Sequence, residues 1–239
     1  MSSFSSQTLA DPAAATAALA ADFGRWLHET PGILNLAISG GRTPEALFSM
    51  LAREYRTHPW ERLRFFWVDE CWVPQDNPES RFGLAWQRLF QPLGIPLSQL
   101  HPMVSPESLL GKPAFAAARY SQLLHRELPL ANGVPVFDLV MLGMGGDGST
   151  ASLFPDAVLE TPNAPCSATR HPQTGAPRLT LTLPVLNQAK RVLFLVTGAD
   201  KATAIRKLRT DSRCDLPAAA VKPRSGPAAW YLDRAAAGE

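Results

Sequence analysis

Residues 137–155 of the chain read FDLVMLGMGGDGSTASLFP, and this stretch decides the fold that we expect. It begins with an apolar run that ends at a cluster of glycines, which is the pattern of a strand buried in a parallel sheet. The loop that follows, residues 143–148, holds four glycines around one carboxylate, Asp147. Closely spaced glycines let a loop turn sharply and bring its N–H groups close to a ligand. Because open α/β sheets bind small molecules beyond the carboxyl ends of their strands, we expect Asp147 to lie in a binding site.

The Gly-x-Gly-x-x-Gly spacing of residues 143–148 also matches the fingerprint of dinucleotide-binding enzymes. That fingerprint leads into a long helix and then to an acid about 20 residues further on. Here Pro155, Pro162 and Pro165 interrupt the chain soon after the loop, so a regular βαβ unit of that size does not fit. The sequence therefore disfavours a nicotinamide enzyme. A tight turn without a ligand is the simpler alternative, but it leaves Asp147 unexplained.

Composition sets limits on the class of protein. The 239 residues are 46% hydrophobic and 18% charged, which is ordinary for a soluble globular protein, and the net charge of +2 gives no argument for a nucleic-acid or membrane partner. Cys71, Cys166 and Cys214 lie far apart and in no metal-binding spacing. This pattern disfavours a disulfide framework and a zinc site, and it fits a reducing compartment. We therefore expect a cytoplasmic protein.

A second glycine loop follows the run ILNLAIS at residues 33–39, which is compatible with a β-strand. Thr43 is a good N-cap for the next helix, and Pro44 suits its first position. A strand, a glycine loop and a helix N-terminus together form a site for an anion. The loop lacks the lysine of a P-loop, so a sugar phosphate fits better than a nucleoside triphosphate. A plain turn between strand and helix remains the alternative.

The remaining segments complete an alternation of strands and helices. Residues 64–70 read RFFWVDE and predict a strand ending in Asp69 and Glu70, whose side chains point to opposite faces, so at most one of them faces a given pocket. Further strands are expected at 178–183, 191–197, 217–221 and 229–232, a helix capped by Ser80, and a frayed tail at 234–239. The pattern predicts an α/β fold with one domain, residues 1–239, built on a doubly wound, mostly parallel sheet with helices on both faces.

Taken together, these segments resemble the 6-phosphogluconolactonase family, within the wider group of glucosamine-6-phosphate deaminases. The matching segments are SGGRTP at 39–44, FFWVDE with VP at 65–74, GMGGDG-x-TASLFP at 143–155, RLTLTLPVLNQA at 178–189, TGADKA at 197–202 and PAAAVKPRSGPAAWYLD at 217–233. The TASLFP ending is similar to the lactonases, whereas the deaminases have a glutamate-containing ending there.

The resemblance implies hydrolysis of 6-phospho-D-glucono-1,5-lactone to 6-phospho-D-gluconate, in the oxidative pentose phosphate pathway and without a metal or cofactor. It also implies that the 39–43 loop, Arg178 and Lys201 hold the phosphate, and that Asp69 and Asp147 lie near the lactone ring. Holding the phosphate fixes the carbonyl relative to an attacking water, which is catalysis by positioning.

The chain departs from the family pattern at three positions. The family has a histidine where this chain has Ser149, an arginine at Cys71 and an asparagine at Arg81. A serine hydroxyl cannot take up a proton at neutral pH, and loss of general-base assistance typically costs about 10²–10⁴ in rate. Of the other histidines, His101 and His171 lie in loops from which a ring could swing in, and we assign neither to the site.

Two explanations are open. In the first, the protein is a lactonase that uses Asp147 or Asp69 as the base, while Arg81 supplies the charge missing at position 71. In the second, it is a degenerate paralogue that binds sugar phosphates with little catalysis. An amino-sugar-phosphate deaminase or isomerase is a third possibility. We favour the lactonase, because the phosphate site and the Asp147 loop are intact.

The candidate catalytic residues are therefore Asp147, Asp69 and Ser149. The candidate substrate-binding residues are Ser39, Gly40, Gly41, Arg42, Thr43, Arg81, Arg178 and Lys201. We expect a small sugar phosphate as the substrate, no nucleic-acid or membrane partner, and a monomer or weak homodimer.

Overall fold

Short strands alternate with helices along the chain, as the sequence predicted. The computed structural model describes residues 4–211 and 213–239, and of Arg42 it describes the backbone only. The strands are β1 (Ser5–Leu9), β2 (Leu34–Ile38), β3 (Leu63–Trp67), β4 (Asp69–Cys71), β5 (Leu100–His101), β6 (Leu130–Ala131), β7 (Val134–Pro135), β8 (Leu139–Leu142), β9 (Cys166–Arg170), β10 (Pro177–Leu181), β11 (Val192–Val196) and β12 (Ala229–Asp233). The α-helices are α1 (Pro12–Glu29), α2 (Arg42–Glu54), α3 (Arg81–Ala85), α4 (Gln91–Leu93), α5 (Pro113–Glu127), α6 (Leu183–Gln188), α7 (Ala202–Thr210) and α8 (Arg234–Ala237).

The central sheet has seven strands in the order β1-β12-β11-β8-β2-β3-β5. Every neighbouring pair is parallel. Strands β2, β8 and β11 are buried along their whole length, because helices cover both faces of the sheet. The predicted doubly wound, mostly parallel α/β fold is confirmed.

The strand order places a crevice between β2 and β8. From β2 the chain continues to β3 and β5 on one side, whereas β8, β11 and β12 follow on the other side. This reversal is a topological switch point, where open α/β sheets bind their ligands. Both glycine loops follow these two strands directly: residues 39–41 after β2 and residues 143–148 after β8.

A second, antiparallel sheet of three strands, β4-β10-β9, adjoins the central one. The expected single strand over residues 64–70 is wrong, because the chain changes sheets at Val68. The N–H of Val68 still donates to Ile38 in the central sheet (3.0 Å), while its carbonyl accepts from Leu181 in the second sheet (2.7 Å). This exchange brings Asp69 on β4 next to Thr180 on β10, above the crevice.

The C-terminal part of the chain differs from the sequence-based expectation in two segments. Residues 217–221 do not form a strand: Pro217–Ala220 is a 3₁₀ turn, and the N–H of Ala218 donates to the carbonyl of Gly148 (3.0 Å). The expected frayed tail contains the helix α8, which Asp233 caps through the N–H of Ala236. None of the described helices is both long and apolar enough to cross a membrane.

Candidate active site

A cleft of about 730 Å³ opens at the carboxyl ends of β2, β8 and β11, beside the second sheet. Most of the candidate residues line it: Ser39, Gly40, Gly41, Thr43, Asp69, Arg81, Ser149, Arg178 and Lys201. The side chain of Arg42 lies outside the described part of the structure. Asp147 is the one fully described candidate that does not line the cleft.

The loop between β2 and α2 presents backbone N–H groups to the cleft. Gly41 has a φ of 114°, which L side chains rarely adopt, and it turns the chain so that α2 begins at Arg42. The expected N-cap role of Thr43 is therefore wrong: Gly41 is the N-cap, and no described side chain caps this helix. The Thr43 hydroxyl instead lies 3.2 Å from that of Thr197. The first N–H groups of α2 and the positive end of its dipole are open to an anion.

Among the described residues, three cationic side chains line the same cleft, and two of them, Arg178 and Lys201, are the candidates to bind phosphate. Arg178 on β10 is buried, and its Nη1 donates to the carbonyl of Pro177 (3.2 Å). Lys201 comes just before α7, and its Nζ lies 2.8 Å from Oδ2 of Asp200. The Asp200 side chain is 62% exposed, so water competes strongly for it, and an incoming anion can take over the lysine.

Asp69 and Arg81 form a pair on the wall of the cleft. Asp69 is buried; its Oδ2 accepts a hydrogen bond from Ser152 Oγ (2.8 Å) and lies 3.8 Å from Arg81 Nε. The carboxylate of Asp69 raises the pKa of Arg81. The Arg81 chain runs across Gly40, where an added Cβ would come within 2.2 Å of Arg81 Cδ. Glycine at position 40 therefore allows Arg81 to reach Asp69.

The neighbouring Glu70 holds the segment that carries Arg81. Its carboxylate accepts from the backbone N–H groups of Cys71 (2.8 Å), Arg81 (2.7 Å) and Phe82 (2.8 Å), and from Ser80 Oγ (3.3 Å). Burial raises the pKa of Glu70 to about 7, although these backbone N–H groups act in the opposite direction. Asp69 lines the cleft and Glu70 does not, as their opposite directions on the strand predicted. Glu70 is thus a positioning residue whose role the sequence did not reveal.

Cys71 occupies the position where the family pattern has an arginine. Burial raises the pKa of its thiol to about 11, so the thiol stays neutral and is no nucleophile. The guanidinium groups of Arg81 and Arg178 act in the opposite direction on this pKa, which places two positive charges near the side chain. The geometry is compatible with Arg81 supplying the charge that is missing at position 71.

Asp147 and Ser149 form a hydrogen-bonded pair at the mouth of the cleft. Oδ1 of Asp147 accepts from the backbone N–H of Ser149 (3.0 Å) and from its hydroxyl (2.6 Å). Asp147 itself is exposed, whereas Ser149 is buried and lines the cleft. Asp147 therefore does not line the cleft itself: its carboxylate turns back to Ser149, which does.

Sequence reasoning missed several side chains that line the cleft, among them Ser152, Phe154, His171 and Thr197. His171 lies at the tip of the hairpin formed by β9 and β10. Strand β9 was not predicted, so the position of this tip next to Phe154 was not predicted either. The only signal for β9 was the alternating run at 178–183, because a strand predicted there needs a partner strand.

Comparisons with known proteins all lead to one family. Residues 9–230 match the family model described as "Glucosamine-6-phosphate isomerases/6-phosphogluconolactonase". The chain is 40% identical to the 6-phosphogluconolactonase of Homo sapiens, over 84% of this chain and 79% of that protein. It is 38% identical to that of Treponema pallidum, over 79% of this chain and 78% of that protein. The solved structure of 6-phosphogluconolactonase from Trypanosoma brucei superposes with a TM-score of 0.86 at 27% identity, covering 98% of this chain and 97% of that one.

Proposed function

Because the chain belongs to the glucosamine-6-phosphate isomerase/6-phosphogluconolactonase family, we propose that it hydrolyses 6-phospho-D-glucono-1,5-lactone to 6-phospho-D-gluconate. This is a step of the oxidative pentose phosphate pathway. The observation that carries the proposal is that one cleft joins the uncapped N-terminus of α2, Arg178 and Lys201 to Asp69 and Ser149. The lactone has a phosphate dianion at one end and a reactive carbonyl at the other. The N-terminus of α2 and the two cations suit the dianion, and Asp69 and Ser149 suit the carbonyl.

The phosphate binds at the loop of residues 39–43. Backbone N–H groups of this loop and the dipole of α2 attract a dianion, and Arg178 and Lys201 add charge-assisted hydrogen bonds. Lys201 exchanges its contact with the exposed Asp200 for the phosphate. With the phosphate fixed, the lactone ring extends towards Asp69 and Ser149.

Water is activated through a short proton relay. The Ser149 hydroxyl donates to Asp147 at 2.6 Å, and its oxygen keeps a lone pair that can accept a hydrogen bond from water. As the water oxygen bonds to the carbonyl carbon, its proton passes to Ser149 and the serine proton passes to Asp147. The carboxylate is thus the base, and the weak basicity of serine does not limit the step. Asp69 is the second candidate base, because it lines the cleft directly.

The attack leaves negative charge on the carbonyl oxygen. Arg81 and the backbone N–H groups of the 143–148 loop are the candidates to stabilise it. The bond between the carbonyl carbon and the ring oxygen then breaks, the ring oxygen takes up the proton that Asp147 received, returned through Ser149, and the ring opens to the acid. Each of these steps uses side chains, backbone groups and water.

The proposal is tested by measuring 6-phosphogluconate formation from fresh lactone, coupled to oxidation of the product by an added dehydrogenase. The spontaneous rate, measured without protein, is subtracted. We expect a rate proportional to protein concentration. A rate equal to the spontaneous one, with 6-phosphogluconate still bound, would favour the sugar-phosphate-binding paralogue. Ammonia release from glucosamine 6-phosphate would favour a deaminase.

We propose further that the reaction takes place in the cytoplasm, on a single domain over residues 1–239 that is a monomer or weak homodimer. Free Cys71, Cys166 and Cys214 support a reducing compartment. One continuous hydrophobic cluster that includes residues of both large sheets supports one domain. Light scattering during size-exclusion chromatography measures the oligomeric state.

A further inference from the structure

The described residues that line the cleft include a single imidazole, that of His171. Its backbone is fixed in the tight turn between β9 and β10. The N–H of His171 donates to the carbonyl of Ala176 (2.9 Å), and the carbonyl of His171 accepts from the N–H of Gly175 (2.9 Å). The ring is therefore anchored to a short hairpin rather than to a long loop.

The ring of His171 packs against the segment that follows the 143–148 loop. It packs edge-on against Phe154, with ring centroids 5.1 Å apart and planes at 68°. Phe154 belongs to the same loop as Ser149 and Ser152, and Ser152 Oγ donates to Asp69. This packing joins His171 to the loop that holds the proposed base, where the lactone carbonyl is expected.

Hydrogen bonds to Nδ1 determine the tautomer of the His171 ring. Nδ1 of His171 accepts from the backbone N–H of Gln173 (3.3 Å) and of Thr174 (3.4 Å). A nitrogen that accepts carries no proton, so the neutral ring has its proton on Nε2. The ring is suited to donate a hydrogen bond from Nε2, and it is not suited to act as a base through that nitrogen.

We propose that neutral His171 donates its Nε2–H to the lactone oxygen that gains negative charge when water attacks. This inference rests on the proposed lactonase function and adds a catalytic residue to it. A neutral imidazole can stabilise such an oxygen without transferring a proton. His171 therefore complements the Asp147–Ser149 relay, which takes the proton, and does not replace it.

The test compares His171→Ala with His171→Gln in the full chain. Removing one donor to such an oxygen typically lowers kcat by about 10²–10³-fold, so we expect a loss of this size in His171→Ala with KM nearly unchanged. Glutamine can donate an N–H but cannot exchange a proton at neutral pH, so His171→Gln should recover part of the rate. The matched control is His125→Ala, because His125 is exposed on α5 and does not line the cleft.

The outcomes separate the inference from the function on which it rests. A wild-type protein that does not exceed the spontaneous rate refutes the proposed function and, with it, the inference. An active wild type with a His171→Ala rate within about twofold refutes the inference alone. Equal losses in the alanine and glutamine variants also refute it, because they would indicate proton transfer or a structural role. Thermal unfolding of both variants identifies a structural role directly.

Discussion

Replacing Gly40 with alanine tests the contact that positions Arg81. The added Cβ would lie 2.2 Å from Cδ, 2.8 Å from Cβ and 3.0 Å from Cγ of Arg81. Carbon atoms in contact normally stay about 3.5–4.0 Å apart, so the Arg81 methylene must move by more than about 1 Å. It cannot simply swing aside, because its Cβ is also too close and Glu70 holds the Arg81 backbone at 2.7 Å.

The expected loss follows from that displacement. Overpacking of this kind costs about 1–3 kcal/mol, which lowers Tm by about 2–12 °C in a chain of this size. A misplacement of about 1 Å near the reacting groups can cost about 10²-fold in rate, so we expect kcat/KM for the lactone to fall by that order in Gly40→Ala. The measurements are the coupled lactone assay and thermal unfolding.

The control and the refuting result are both defined by the structure. Gly111→Ala adds the same methyl group in an exposed turn, where the nearest atom is Ser108 O at 3.5 Å, and should change neither quantity. In an Arg81→Gly background, Gly40→Ala should lose most of its effect on Tm, because the Cβ, Cγ and Cδ atoms of Arg81 that the new methyl group meets are all gone. Two results would refute this role of Gly40. One is a Gly40→Ala protein with wild-type Tm and kcat/KM. The other is a Gly40→Ala loss of Tm that is as large without Arg81 as with it.

Four further changes are informative. Asp147→Asn should lower kcat by about 10²–10⁴-fold at similar KM, because an amide cannot take the relayed proton; steady-state kinetics decide, and a rise in KM alone would contradict the relay. Arg178→Met should raise KM for the lactone by about 10–100-fold, because it removes a charged hydrogen bond worth about 1.5–3 kcal/mol. An unchanged KM would indicate that the phosphate binds elsewhere. Ser149→His should raise the rate only modestly; a large gain in kcat would show that no compensating base exists. Burial lowers the pKa of His58, and the neighbouring His28 adds to this effect. The unfolded chain therefore binds more protons than the folded one, and stability should be lost as pH falls below about 6.5. Tm of the wild type should drop more between about pH 7 and pH 5 than that of His58→Phe.

The sequence determined the architecture and the parts of the phosphate site. The glycine loops after residues 33–39 and 137–142 and the alternation of strands with helices are local patterns, which depend on residues close together in the chain. They were sufficient to predict a doubly wound sheet, because parallel strands need helical crossovers and burial on both faces. The position of both loops at one crevice then follows from the strand order.

Local patterns did not determine where a helix begins or which strands change sheets. The φ of Gly41 moved the start of α2 to Arg42, and residues 217–221 became a turn bonded to Gly148. These outcomes depend on partners distant in the sequence, which a local pattern does not contain.

The sequence by itself determined the fold class, the family and nine of the residues that line the cleft. Only the tertiary structure decided that the Asp147 carboxylate accepts a hydrogen bond from Ser149, that Arg81 lies across Gly40, and that His171 lines the cleft. The physical reason is that a side chain's direction and hydrogen-bond partner depend on packing between segments far apart in the chain. For His171, that packing is the docking of the β9–β10 hairpin tip against Phe154.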